Sequence, residues 1–218
     1  MTNFKIRLDM IRILIADDHA IVRKGLLQLL LEEYPSAHIK EVGDAEELVI
    51  QALNHEWDVV ICDLSMPGRS GLDALRQIKQ SFPKLPVLIM SMHPQDQYAL
   101  RVLKAGASGY LGKESIHEEL IKAVQTVMLG KKFITPSIAE RLAEAFETDN
   151  EEQRHELLSD REFDVFKLIA SGKSVSEIAA QLSLSVTTVS TYRSRILEKM
   201  NMKSNADLTR YAIEKKLI

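Results

Sequence analysis

The sequence predicts an α/β protein: a five-stranded, doubly wound parallel sheet followed by a smaller all-α domain of four helices. Three observations lead there. Short apolar runs alternate with amphipathic helical patterns five times between Arg12 and Leu129, and connections this short imply right-handed βαβ crossovers and a parallel sheet. After residue 157 the strand-like runs stop and only helical patterns continue. The length, 218 residues, exceeds the ~100 to 150 residues of a typical single domain and suits two unequal ones.

The elements follow in order. Ile13-Leu14-Ile15-Ala16 is the first strand, and Ile21 to Leu31 is a helix whose core side carries Leu26, Leu27, Leu29 and Leu30. His38 to Val42 and Ala45 to Leu53 form the second strand and helix. The third strand, Val59 to Cys62, is an apolar run closed by Asp63 and then by Pro67-Gly68, which reads as a strand buried on both faces. Its helix runs from Leu72 to Ser81. Pro86 to Ser91 with Gln95 to Ala105, then Gly109 to Leu111 with Ile116 to Leu129, complete the five units.

Thr135-Pro136-Ser137 starts a further helix through Ile138, Leu142 and Phe146, with proline in its first turn. Residues 147–154 are polar and acidic and read as a linker. Ser159 then caps a helical segment with acids in its first turn. Helices are expected at Phe163 to Ala170, Val175 to Leu182, Val186 to Met200 and Ala206 to Lys215. The expected organisation is one domain at 11–130, a helical and acidic linker at 131–156, and a second domain at 157–218.

Composition narrows the function classes. No apolar run approaches the ~20 residues that span a bilayer, and Met1 to Met10 lacks the apolar core of a secretory signal. A cytoplasmic protein without membrane contact is expected. The single cysteine, Cys62, excludes an internal disulfide and a Cys-rich zinc site, and inside a strand it reads as a small buried hydrophobe. Net charge is −3, but residues 157–218 hold ten Lys and Arg against seven acids, so the last third alone is basic. That excess suits nucleic acid only with a motif beside it.

Several strand ends carry chemistry. Asp17 and Asp18 close the first strand, Asp63 the third, Ser91 the fourth and Lys113 the fifth, and open α/β sheets place their ligand sites at the carboxyl ends of strands. Three neighbouring carboxylates repel one another unless something positive sits among them. Mg²⁺, a hard cation taking oxygen ligands, is the natural occupant, with the Ser65 carbonyl as a further donor. A carboxylate can also be the nucleophile of phosphoryl transfer, with Lys113 and Ser91 binding the phosphoryl oxygens. His19 reads as a residue pointing outward at the start of a helix, and His93 as a loop residue at the rim of the cleft.

Asp17-Asp18, Asp63 followed by Met66-Pro67-Gly68 and Gly71, Ser91, Ala105-Gly106-Ala107 and Gly109-Tyr110-Leu111-Gly112-Lys113 together resemble the receiver domain of bacterial response regulators over residues 12–130. The resemblance implies a flavodoxin-like fold and Asp63 as the acceptor of a phosphoryl group from a sensor histidine kinase. It also implies Asp17, Asp18, Asp63 and Ser65 as Mg²⁺ ligands, Lys113 as partner of the phosphoryl oxygen, and Ser91 with Tyr110 as a switch pair. Gly112 stands where a larger apolar residue is usual, which would loosen the loop beside Lys113, and Glu114 stands where many receivers have proline.

In the last domain, Ala179 to Val189 reads as a helix, a tight turn and a second helix capped by Ser185, a helix-turn-helix whose second helix enters the major groove. Val189, Ile196 and Met200 face its core. Thr187, Thr188, Ser190, Thr191, Arg193, Ser194, Arg195 and Lys199 remain as candidate DNA contacts. Arg161-Glu162, Leu168 to Gly172, Glu177-Ile178-Ala179, Thr188-Val189 and Arg195-Ile196-Leu197 with Lys199 resemble the tetrahelical DNA-binding domain of the NarL/FixJ/LuxR family. Ser190 and Ser194 replace frequent lysines and Tyr192 the usual histidine, which implies weaker nonspecific binding.

The two resemblances imply a regulator that binds double-stranded promoter DNA, as a homodimer when phosphorylated. Such a chain is not an enzyme beyond self-catalysed phosphoryl transfer and slow autodephosphorylation. Three rivals stand beside this reading. An aspartate-nucleophile phosphatase wants an acid/base carboxylate two residues after Asp63, where Ser65 stands. A ligand-sensing regulator with the same DNA-binding end has no need of an acidic cleft, and the intact constellation argues against a phosphate-independent receiver.

Overall fold

The computed structural model describes residues 10–92, 95–147, 154–215 and 217–218. The N-terminal residues before Met10, His93 and most of the acidic linker lie outside the described residues. The chain divides after Glu147 into two compact units.

In the first unit, strands β1 (Arg12–Ala16), β2 (His38–Val42), β3 (Val59–Asp63), β4 (Val87–Ser91) and β5 (Gly109–Gly112) alternate with helices α1 (Ala20–Glu33), α2 (Ala45–Asn54), α3 (Gly71–Ser81), α4 (Gln95–Lys104) and α5 (Ile116–Met128). The strands form one parallel sheet in the order β2-β1-β3-β4-β5. Every expected element is present, with ends moved by a residue or two. Asp63, for example, pairs with Met90 and so belongs to β3.

Strand periodicity decides the layers. Ile13, Ile15, Val59, Ile61, Leu88, Met90 and Leu111 line one face and pack with Leu26 and Leu30 of α1 and with Leu120, Val124 and Val127 of α5. Leu14, Val60, Cys62, Ile89 and Tyr110, the alternate positions, are buried as well, so the sheet is covered on both sides. Of the four leucines assigned to the core side of α1, only Leu26 and Leu30 are buried, and Leu27 and Leu29 are half-buried. Positions i and i+4 share a line on a helix, and their neighbours flank it.

The strand order reverses between β1 and β3: the chain leaves β1 for β2 at one edge and returns to β3 on the other side. That reversal opens a crevice at the carboxyl ends of β1 and β3. Gly112 ends β5 beside the site. It pairs with Ser91 in the last register of β4 and β5, and the next amide, Lys113 N–H, donates to Ser91 O at 2.9 Å.

The outer edge of β5 is closed by Phe133, which bridges Gly109 and donates its amide to Ser108 O at 2.8 Å. The helix that the sequence assigns to the linker, α6 (Pro136–Glu147), belongs to the first unit and packs on α4.

The second unit begins with a 3-10 turn, Arg154–Leu157, followed by α7 (Asp160–Ala170), α8 (Val175–Gln181), α9 (Val186–Lys199) and α10 (Asn205–Glu214). Ser159, Ser174, Ser185 and Ser204 cap the four helices by accepting from a first-turn backbone amide. Phe163, Phe166, Ile178, Val189, Ile196 and Leu208 are fully buried. Between α8 and α9 the chain turns through Ser183 at φ 54°, and Leu184 N–H closes the turn on Ala179 O at 2.8 Å. Among the described residues, no helix is long and apolar enough to cross a membrane.

Candidate functional site

The pairing of Ala16 with Cys62 sets the next residues of β1 and β3, Asp17 and Asp63, beside one another at the crevice. Lys113 follows β5, two strands away from β3. Its Nζ nonetheless reaches to 2.6 Å from Asp17 Oδ2 and 3.0 Å from Asp63 Oδ2. All three side chains are buried or nearly so, and Asp18 beside them is 26% exposed. Asp17 and Asp63 thus share one ammonium, with the Asp18 carboxylate next to them.

The electrostatics follow. Burial pushes the Asp63 carboxyl up to about 6, with Lys113 pulling it down, Asp17 pushing it further up and the Ser65 backbone amide pulling it down through a hydrogen bond. Burial by itself would lower Lys113, but its hydrogen bonds and charge contacts with Asp17 and Asp63 raise it above the ordinary value. Lys113 therefore stays a cation.

A divalent ion fits this site. Asp17 Oδ2, apart from its contact with the Lys113 ammonium, and Asp18 Oδ1 are buried without an oriented hydrogen bond. Asp17, Asp18, His19 and Asp63 each offer one donor atom, and these atoms lie within 4.8 Å of one another. Oxygen donors in that number are the set a hard cation takes.

Ser91 ends β4 and is buried. Ile89 pairs with Tyr110, and Ser91 lies two residues beyond Ile89, so Ser91 and Tyr110 share one face of the sheet. The Tyr110 ring is fully buried.

Two residues matter more than the sequence suggested. His19 turns its ring toward the carboxylates, with Nδ1 2.8 Å from Asp18 Oδ1 and 3.3 Å from Asp17 Oδ1, although the side chain remains 62% exposed. The residue thus stands at the helix entry and mostly exposed, as expected, with Nδ1 on the side of the carboxylates. Adjacency to two carboxylates was the available signal, but neither ring direction nor backbone angle is legible from adjacency. Gly71 starts α3 against the end of β3, donating its amide to Leu64 O at 2.9 Å. A Cβ there would lie 2.1 Å from the Asp63 carbonyl oxygen. A cleft of about 950 Å³ lies elsewhere: Arg12, Trp57 and Pro86 line it at the amino ends of the strands. It has no part in this chemistry.

On α9, Val189, Ile196 and Met200 are buried as expected, and Thr187, Ser190, Thr191, Ser194 and Arg195 are exposed. The Thr191 and Ser194 hydroxyls donate to the carbonyls of Thr187 and Ser190 at 3.0 and 3.1 Å. Thr188 is half-buried and engaged with the cap, its Oγ1 2.7 Å from Ser185 Oγ. Arg193 Nε donates to Asn205 Oδ1 at 2.7 Å. Lys199 Nζ lies 2.6 Å from the buried Glu162 carboxylate of α7. Burial would raise Glu162, but hydrogen bonds from Lys199 and Ser159 outweigh it and hold the carboxyl below its ordinary value.

Residues 13–125 match the family described as response regulator receiver domain, and residues 156–212 the family described as bacterial regulatory proteins, luxR family. Over 214 residues the chain is 38% identical to the oxygen regulatory protein NreC of Staphylococcus carnosus (strain TM300), covering 95% of this chain and 99% of that protein. RcsB from Salmonella enterica serovar Typhimurium, bound to promoter DNA in the presence of phosphomimetic BeF3-, is 29% identical with a TM-score of 0.57, covering 92% of this chain and 97% of that one. A structure of two RcsB dimers bound to two parallel DNAs is 30% identical with the same TM-score, 0.57, and the same coverage, 92% and 97%.

Proposed function

The chain belongs to the NarL/FixJ/LuxR family of response regulators, a receiver domain joined to a LuxR-type DNA-binding domain, and from that premise we propose that phosphorylation of Asp63 turns it into a promoter-binding homodimer. The phosphoryl donor is a sensor histidine kinase and the target is double-stranded promoter DNA. The setting is the cytoplasm. The observation that carries the reading is Lys113 Nζ, from the far edge of the sheet, held between Asp17 and Asp63 at 2.6 and 3.0 Å.

In the transfer, an Asp63 carboxylate oxygen attacks the phosphorus of the kinase phosphohistidine. A P–O bond forms as the P–N bond breaks, and the leaving imidazole keeps the electron pair and takes up a proton. A carboxyl held near 6 is mostly ionised at pH 7 and more basic than an ordinary aspartate. Asp17, Asp18 and Asp63, with the Ser65 carbonyl, would hold Mg²⁺, which when bound neutralises charge on the phosphoryl oxygens.

Lys113 pairs with a phosphoryl oxygen once Asp63 carries the acyl phosphate. The Ser91 hydroxyl donates to another, and Tyr110, on the same sheet face, fills the space that the hydroxyl vacates. The phosphoryl group adds about −1.5 to −2 charge, enough to bias a loop with two arrangements. Turnover chemistry ends there, in self-catalysed transfer and slow hydrolysis of the acyl phosphate.

In the second unit, α9 enters the major groove and presents Thr187, Ser190, Thr191, Ser194 and Arg195. Arg193 and Lys199 are held by Asn205 and Glu162 and contribute chiefly by orienting the helix. So few cations on one helix make two half-sites and a dimer the source of affinity.

The test is sedimentation and gel shift of the full chain on promoter fragments selected by binding, with and without beryllofluoride and Mg²⁺. A dimer that shifts DNA only with both additions supports the reading. Equal shifts without them would sink the phosphorylation switch.

A further inference from the structure

The outward face of α9 carries short side chains. Thr187, Ser190, Thr191 and Ser194 are exposed there, away from the buried Val189 and Ile196. Thr187, Thr191 and Arg195 follow at intervals of four residues and so form one line along the helix. Two hydroxyls of this face are turned back onto the helix: Thr191 Oγ1 donates to Thr187 O at 3.0 Å and Ser194 Oγ to Ser190 O at 3.1 Å. A hydroxyl bonded to the carbonyl of the preceding turn has its proton committed to the helix. In threonine this leaves the γ-methyl standing clear, so Thr191 presents an apolar group in the half of the helix that meets base edges in a helix-turn-helix.

We propose that Thr191 is a specificity-determining residue that selects a thymine in each half-site through contact of its γ-methyl with the thymine C5 methyl. The inference rests on the reading of α9 as the helix that enters the major groove, and it names the base that this face selects. Among the groups that base pairs present in the major groove, the thymine methyl is the apolar one, and the others are hydrogen-bond donors and acceptors. A methyl buried against it gains free energy that a carbonyl or amino group does not return. The short side chains around Thr191 let the helix come close enough for that contact.

The test uses the full chain with beryllofluoride and Mg²⁺, and a duplex selected by binding. It is compared with the same duplex in which deoxyuridine replaces every thymidine. Uracil keeps the pairing and the O4 acceptor and lacks only the C5 methyl. In gel-shift titrations the wild type should bind the uracil duplex ~4-fold more weakly for each half-site. Restoring thymines one at a time should recover the loss at one position per half-site.

Thr191→Ser, which keeps the hydroxyl and drops the methyl, should bind the two duplexes alike, at the affinity of the wild type for the uracil duplex. Thr191→Val, which keeps the methyl and drops the hydroxyl, should discriminate as the wild type does. Equal binding of both duplexes by the wild type overturns the role of Thr191 and leaves α9 in the groove. So does discrimination that survives in Thr191→Ser or is lost in Thr191→Val. Failure of the wild type to bind any duplex overturns both readings.

Discussion

Replacing Gly71 by alanine tests how tightly the phosphoacceptor is held. The added Cβ would lie 2.1 Å from the Asp63 carbonyl oxygen and 3.0 Å from both the Asp63 carbonyl carbon and Leu64 Cα, whereas ordinary contact begins at 3.4 Å. All three atoms are backbone, so no side chain can swing away. The start of α3 or the end of β3 must move by about 1 Å, and crowding of this kind costs ~1–3 kcal/mol.

At roughly 3 °C per kcal/mol for a unit of this size, the melting temperature should fall by ~3–9 °C. A shift of ~1 Å at the nucleophile should slow phosphorylation ~100-fold. The assay is labelling by acetyl phosphate with Mg²⁺, resolved on a phosphate-affinity gel, beside a thermal melt. Gly25→Ala, where a Cβ meets nothing within 4 Å, is the control and should label normally. If Gly71→Ala labels within about twofold of wild type and melts at the same temperature, the close approach of α3 to Asp63 does not govern the site.

Three further outcomes are expected. Asp63→Asn should abolish Mg²⁺-dependent labelling by acetyl phosphate, and undiminished labelling would remove Asp63 as acceptor. Lys199→Ala should destabilise the second unit by ~1–2 kcal/mol at pH 7, discounted from a fully buried pair because Lys199 is 41% exposed. Since the folded Glu162 carboxyl lies below its ordinary value of 4.5, its stabilisation is complete above that pH and is lost as pH falls through the lowered value. Urea unfolding should therefore find the wild type and Lys199→Ala converging in acid; a difference that stays constant down to pH ~3 would contradict this. Arg195→Ala should flatten the salt dependence of DNA binding by about one unit of logarithmic slope. Arg193→Ala should change it less, because Asn205 holds that guanidinium, and equal slopes would show the Asn205 contact opening on DNA.

Much of this protein is written locally. Alternation of apolar runs with helical periodicity determined five βα units, and Ser159 and Ser185 marked the starts of two of the last four helices. Successive parallel strands also end on one side of a sheet, so Asp17, Asp18, Asp63, Ser91 and Lys113 were legible as one cluster before any fold was known. Local patterns did not determine which strand lies beside which, and the order β2-β1-β3-β4-β5 is what sets Asp17 against Asp63.

Only the tertiary structure brought Lys113 across from the edge strand, pressed Gly71 against the Asp63 carbonyl and turned the His19 ring toward two carboxylates. Lys199, a candidate DNA contact by residue type, was claimed by Glu162, 37 residues earlier. The α6 helix, polar enough to read as linker, folded back onto α4. Periodicity reports which face of an element is apolar, a property of neighbouring residues. Which distant group meets that face, or a charge at its end, depends on how separate elements pack, and no spacing along the chain encodes it.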